Sequence, residues 1–107
     1  MALVHLNEES FDQALNSGVP MLVDFWATWC VHCKPLGPIM EQLAEEYEGQ
    51  DVVIAKVDID ACPTIPLRYG VMGVPTVLLF QNGEEVERKV GAMPYDEYAE
   101  MLDGALG

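Results

Sequence analysis

Five of the six residues in Met21-Leu22-Val23-Asp24-Phe25-Trp26 are apolar, without the alternation that a half-exposed strand shows. A run of this kind buries both of its faces, so it reads as a central parallel strand with helices packed on each side. That restricts the chain to layered architectures in which further strands flank the run and helices close over it. Val52–Ile59 and Thr76–Gln81 are two more apolar strands, and Leu3–Leu6 is a short strand candidate. Asn82-Gly83 is a hairpin turn signal, which returns the chain antiparallel through Glu84–Val90.

The helices follow from a different period. Asn7 can cap a helix that runs to about Asn16, with Phe11, Ala14 and Leu15 inward and Gly18 as its stop. Leu36, Ile39, Met40, Leu43 and Tyr47 share one face of a helical segment from about Cys30 to Tyr47 that ends at Gly49. Pro38 lacks an N–H and is predicted to kink that helix, whereas Pro35 lies nearer its start, where proline is tolerated. A short helical stretch follows at Ile65–Tyr69. Pro94 opens a last helix with Tyr95, Tyr98, Ala99, Leu102 and Leu106 on one stripe and Asp96, Glu97, Glu100 and Asp103 mainly outside it. The order predicts an α/β fold, a mixed central sheet of about five strands flanked by about four helices.

Composition narrows the function classes. A chain of 107 residues is the size of one domain, and with 50% hydrophobic residues it can build a core, which excludes disorder. Lys and Arg total 5 against 18 Asp and Glu, a net charge of −13. This charge argues against nucleic acid, whose affinity rests on cationic contacts to phosphate, and against anionic membrane surfaces. It favours solubility and repulsion between copies, and so predicts a monomer. No apolar run approaches the ~18 residues needed to cross a bilayer. The opening Met1-Ala2-Leu3-Val4-His5-Leu6-Asn7 lacks the basic start and long apolar stretch of a signal peptide, which predicts a cytoplasmic location.

The chemistry concentrates in Trp29-Cys30-Val31-His32-Cys33. Two cysteines three apart on a helical turn share a face, with Cβ atoms ~5–6 Å apart, and modest tightening brings them to disulfide distance. At a strand-to-helix junction the first cysteine meets unpaired N–H groups and a positive dipole, which stabilise a thiolate and make Cys30 a nucleophile. Cys33, one turn in, is expected to be more shielded and to act second. Zinc wants four ligands; only Cys62 and His5 remain, at no helpful spacing, so no metal is expected. Asp24 is odd among apolar neighbours, and a buried carboxylate has a raised pKa. Lys56, in Val53-Ile54-Ala55-Lys56-Val57, is equally odd. Cys62 reads as an inert or semi-buried cysteine.

Residues Phe25 to Lys34, which contain Trp29-Cys30-Val31-His32-Cys33, resemble the active-site signature of the thioredoxin family. Asp24, Pro38, Lys56, Gly73-Val74-Pro75-Thr76, Asn82-Gly83 and Val90-Gly91-Ala92 fit the same pattern in order and spacing, so the resemblance covers nearly the whole chain. It implies a single domain over residues 1–107 that reduces protein disulfides, with no cofactor beyond a redox-active Cys30–Cys33 disulfide. It further implies a thioredoxin reductase as electron donor. By resemblance, Cys30 attacks the target and Cys33 resolves the mixed disulfide. Asp24 relays a proton behind Cys33, with Lys56 near it. Pro75 follows a cis bond, and Val74 offers its backbone to an extended target segment. Trp29, Gly73, Val74, Gly91 and Ala92 would form an apolar contact patch. Val31-His32 departs from the usual Gly-Pro pair. His before the second cysteine is similar to disulfide isomerases and the periplasmic oxidase family, and an imidazolium there would stabilise the Cys30 thiolate and raise the potential. A thiol oxidase or isomerase is therefore the alternative chemistry, and a thioredoxin-fold binding subunit with an idle dithiol the alternative class.

Overall fold

A computed structural model describes residues 3–107, so Met1 and Ala2, which open the stretch read for a signal peptide, lie outside the described residues. The elements, in order, are β1 (Val4–His5), α1 (Glu8–Asn16), β2 (Met21–Trp26), α2 (Leu36–Glu46), β3 (Val53–Asp58), α3 (Thr64–Arg68), β4 (Thr76–Gln81), β5 (Glu84–Val90) and α4 (Tyr95–Leu106). The five strands form one sheet in the order β1-β3-β2-β4-β5. The apolar run of β2 is indeed central, paired parallel to β3 and antiparallel to β4. The β4–β5 hairpin turns at Asn82 (φ 54°) and Gly83 (φ 80°), the two left-handed positions of the tight turn that the Asn-Gly pair signals.

The pleat of β2 sorts its side chains. Met21, Val23 and Phe25 face a cluster with Phe11 of α1, Ile65 of α3, and Leu78 and Phe80 of β4. Leu22 faces the opposite cluster with Met40 and Leu43 of α2 and Tyr98 and Leu102 of α4. Asp24 shares the Leu22 face by the two-residue strand period. Asn7 closes α1 with a capping box, its side chain accepting from the Ser10 backbone N–H at 2.8 Å while Ser10 Oγ accepts from the Asn7 N–H at 2.9 Å.

Two expectations change. The segment from Cys30 is not one kinked helix. Val31–Cys33 form a single 3₁₀ turn, and α2 begins only at Leu36. Pro35 and Pro38 cannot donate to the carbonyls four residues back, so a continuous α-helix loses two bonds within one turn there. The chain closes short-range bonds instead, Lys34 N–H to Val31 O at 3.3 Å and Gly37 N–H to Lys34 O at 3.2 Å. Pro38 thereby falls in the first turn of α2, where its missing donor has no partner to lose. Leu106, expected on the buried stripe of α4, is exposed, because it lies in the last turn; Met101 is buried with Tyr98 and Leu102.

Candidate active site

Cys30 and Cys33 form a disulfide, their Cα atoms 5.3 Å apart. Cys30 caps the 3₁₀ turn, and its Sγ accepts the Cys33 backbone N–H at 3.1 Å. Because α2 starts three residues after Cys33, the donor at Cys30 is this one local amide rather than the end of a long helix. The expected difference in shielding is absent in whole-residue terms: Cys30 is 6% exposed and Cys33 5%. The turn stands on Ala27, with Trp26, Ile59 and Val74 packed against it. Val31 and His32 between the cysteines are exposed.

The loop before β4 closes one side. The Val74–Pro75 bond is cis, and Cys30 Sγ lies 3.6 Å from Val74 O. Thr76 Oγ1 donates to Gly73 O at 2.7 Å, and Gly91 N–H donates to Pro75 O at 2.9 Å, so Gly73, Val74, Pro75 and Gly91 meet beside the disulfide. Ala92 follows Gly91 and is exposed. Trp29 is 64% exposed, and its indole N–H donates to Asp60 Oδ2 at 2.8 Å.

Asp24 is fully buried, and neither carboxylate oxygen has a hydrogen-bond partner. Burial pushes its pKa up to about 7, against the opposing pull of the Lys56 charge. Lys56 sits directly across from Asp24 in the β2–β3 register, yet its Nζ rests 4.3 Å from the centre of the Trp26 ring, a cation–π contact, rather than on the carboxylate. Lys56 and Lys34 line a groove of about 350 Å³ together with Trp26 and both cysteines. Cys62 is buried away from this site, its Sγ 3.7 Å from Leu6 O, and burial pushes its thiol pKa up. Among the described residues no group of His, Cys, Asp and Glu could hold a metal.

Three supporting residues escape sequence inspection. Asp60 orients Trp29, and its loop is set by the Asp58 carboxylate, which accepts the Asp60 N–H at 2.9 Å. Ile59 packs on the cysteines. Arg88 of β5 grips Glu85 with two bonds (2.7 and 2.8 Å) and also donates to Tyr69 O at 2.6 Å and Gly70 O at 3.3 Å. It thus ties down the root of the loop that carries Gly73 and Val74.

Residues 2–104 match the protein-family model described as Thioredoxin. Thioredoxin from Staphylococcus aureus strain Mu50 is 44% identical over 106 residues, covering 99% of this chain and all of the relative, and that from strain COL matches equally. Among solved structures, a mutant thioredoxin from Halobacterium salinarum NRC-1 superposes with a TM-score of 0.89 at 33% identity, covering 99% of this chain and 92% of that one. The five-stranded mixed sheet and its helices match that neighbour.

Proposed function

The chain belongs to the thioredoxin family and is a thiol–disulfide oxidoreductase, and from that premise we propose that it runs as a cytoplasmic reductase of protein disulfides, resupplied by a thioredoxin reductase. Residues 1–107 act as one domain and one monomer. In this reading the Cys30 thiolate attacks a target disulfide. A Cys30–target bond forms, and the other target sulfur leaves as thiolate. Cys33 passes its proton to Asp24, through water, and its sulfur attacks Cys30 Sγ. The Cys30–Cys33 bond forms and the second target sulfur departs, so two electrons have gone to the target. The reductase returns two electrons to the pair.

The observation that carries this reading is the Cys33 N–H aimed at Cys30 Sγ at 3.1 Å. An amide donor at that sulfur stabilises negative charge there once the bond is opened, which selects Cys30 as nucleophile and leaves Cys33 to resolve. Supporting it, Asp24 has its pKa near the operating pH, as a proton acceptor needs. Lys56 biases that pKa by its charge. Val74 O next to Cys30 fits recognition of an extended target segment by backbone pairing, and exposed Trp29, with Gly73, Val74, Gly91 and Ala92, fits its apolar contacts. His32, exposed in the turn, adds positive charge when protonated, stabilises the dithiol form and raises the potential, which gives oxidase or isomerase chemistry its foothold.

The decisive experiment is insulin disulfide reduction with single serine variants. Cys30→Ser abolishes turnover. Cys33→Ser also abolishes it, but accumulates a mixed disulfide through Cys30 that mass spectrometry detects. Trapping through Cys33 in the Cys30→Ser protein instead would reverse the assignment. Full biological action by the double serine protein would favour the binding subunit.

A further inference from the structure

The five cations of this acidic chain are unevenly neutralised. Arg68 pairs with Asp12 at 2.7 Å, Arg88 with Glu85 at 2.7 Å, and Lys89 with Glu97 at 3.2 Å and Glu87 at 3.8 Å. Lys34 and Lys56 form no ion pair with any described residue. Both line the groove that Cys30 and Cys33 also line. Lys56 is braced on the Trp26 ring, and Lys34 is exposed at the end of the 3₁₀ turn. Asp58 shares the Lys56 face of β3 by the strand period and accepts from the Asp60 backbone, while Asp60 accepts from Trp29. The groove side of the redox site therefore carries the two ammonium groups that make no ion pair among the described residues, with Asp24 across from Lys56 in the sheet.

We propose that this groove receives a carboxylate of the target polypeptide, so that the protein favours disulfides flanked by Asp or Glu on the groove side. The inference deepens the redox reading above and rests on it. It runs against the net charge of −13, which repels acidic targets at long range. Salt screens charges beyond about 8 Å at physiological ionic strength, so distant carboxylates act weakly. A contact inside the groove, which Lys34, Lys56 and Trp26 line, is screened less.

The test uses two synthetic disulfide-linked peptides that differ only in Glu or Gln beside the cysteines. Pre-reduced protein is mixed with excess peptide, and the second-order rate of its oxidation is read by alkylation and mass spectrometry. The wild type is expected to prefer the Glu peptide roughly fivefold, the size that one partly exposed ion pair supplies. Lys34→Gln lowers that ratio by about twofold or more, Lys56 keeping the remainder. Lys89→Gln removes the same unit of charge three strands away from Lys56, outside the groove lining, and keeps the wild-type ratio. A wild-type ratio of one, or equal losses in the two variants, overturns the inference while the redox reading stands. If neither peptide oxidises the protein, the redox reading fails and the inference with it.

Discussion

The two faces of β2 are built from the same strand but to different standards. Toward α1 and α3, Met21, Val23 and Phe25 meet only apolar neighbours, and Phe11, Tyr69 and Phe80 lock edge to face or tilted at centroid distances of 5.9, 5.7 and 4.9 Å. Toward α2 and α4, the same pleat presents Leu22 and then Asp24, a carboxyl buried without a hydrogen bond. One face supplies stability; the other gives some of it up to a buried carboxyl, the proton acceptor of the proposed mechanism. Such a local cost is expected where function overrides local consistency.

The largest effect that sharpens this contrast is on the apolar face. Phe25→Ala should cost about 3–5 kcal/mol, at every pH, because it removes a fully buried ring and leaves a cavity. Urea unfolding at pH 4 and pH 8 measures it. A loss under 1 kcal/mol would mean that this face is not the stabilising one.

Asp24→Asn should act in the opposite direction and depend on pH. The folded pKa of about 7 lies above the ordinary 3.8. Below both values the carboxyl is protonated in folded and unfolded chains alike. Between them the unfolded chain binds fewer protons, so wild-type stability falls as pH rises and the full penalty stands above about 7. At ~1.4 kcal/mol per pKa unit, Asn should gain about 4 kcal/mol more over wild type at pH 8 than at pH 4. The same variant should resolve mixed disulfides more slowly at neutral pH and lose any rate inflection near pH 7. Equal gains at both pH values would show that the buried carboxyl carries no ionisation penalty.

Arg88→Gln should cost ~1–3 kcal/mol, since Glu85 and the Tyr69 and Gly70 carbonyls lose their donor. Its distinguishing effect is a raised KM for insulin with kcat nearly unchanged, because the loop is loosened and the cysteines are not touched. A fall in kcat alone would assign Arg88 elsewhere. The smallest effect is at His32. His32→Pro should lower the reduction potential by about 20–30 mV, the equivalent of roughly 1 kcal/mol of lost charge stabilisation. Equilibration with a glutathione redox buffer reads it, and a variant potential equal to or above that of the wild type refutes the tuning role.

How legible this molecule is in its sequence depends on the range of the interactions. Thr76–Gln81 and the Asn82-Gly83 turn are readable to the residue, because a continuous apolar run and the left-handed turn positions that end it are local properties. The cysteine pair and the odd Asp24 and Lys56 stand out by chemical type against their neighbours. The start of α2 was misplaced because the apolar period of Leu36 to Tyr47 continues past two prolines whose lost bonds, not their side chains, decide the boundary. The grip of Arg88 on carbonyls 18 and 19 residues away, and of Tyr47 Oη on Asp103 at 2.7 Å across 56 residues, leaves no local trace. The match of the family pattern carried the cis bond at Pro75, which no propensity could.

Cys62 offers an independent clock for the molecule's breathing. It is only 4% exposed, and desolvation disfavours its ionisation, so a thiol reagent can reach it only when the packing around Leu6 and α3 parts. With the redox pair held as a disulfide, the pace of its labelling counts those openings one molecule at a time, and sets how long a sulfur outside the working pair stays safe from the oxidants this protein meets.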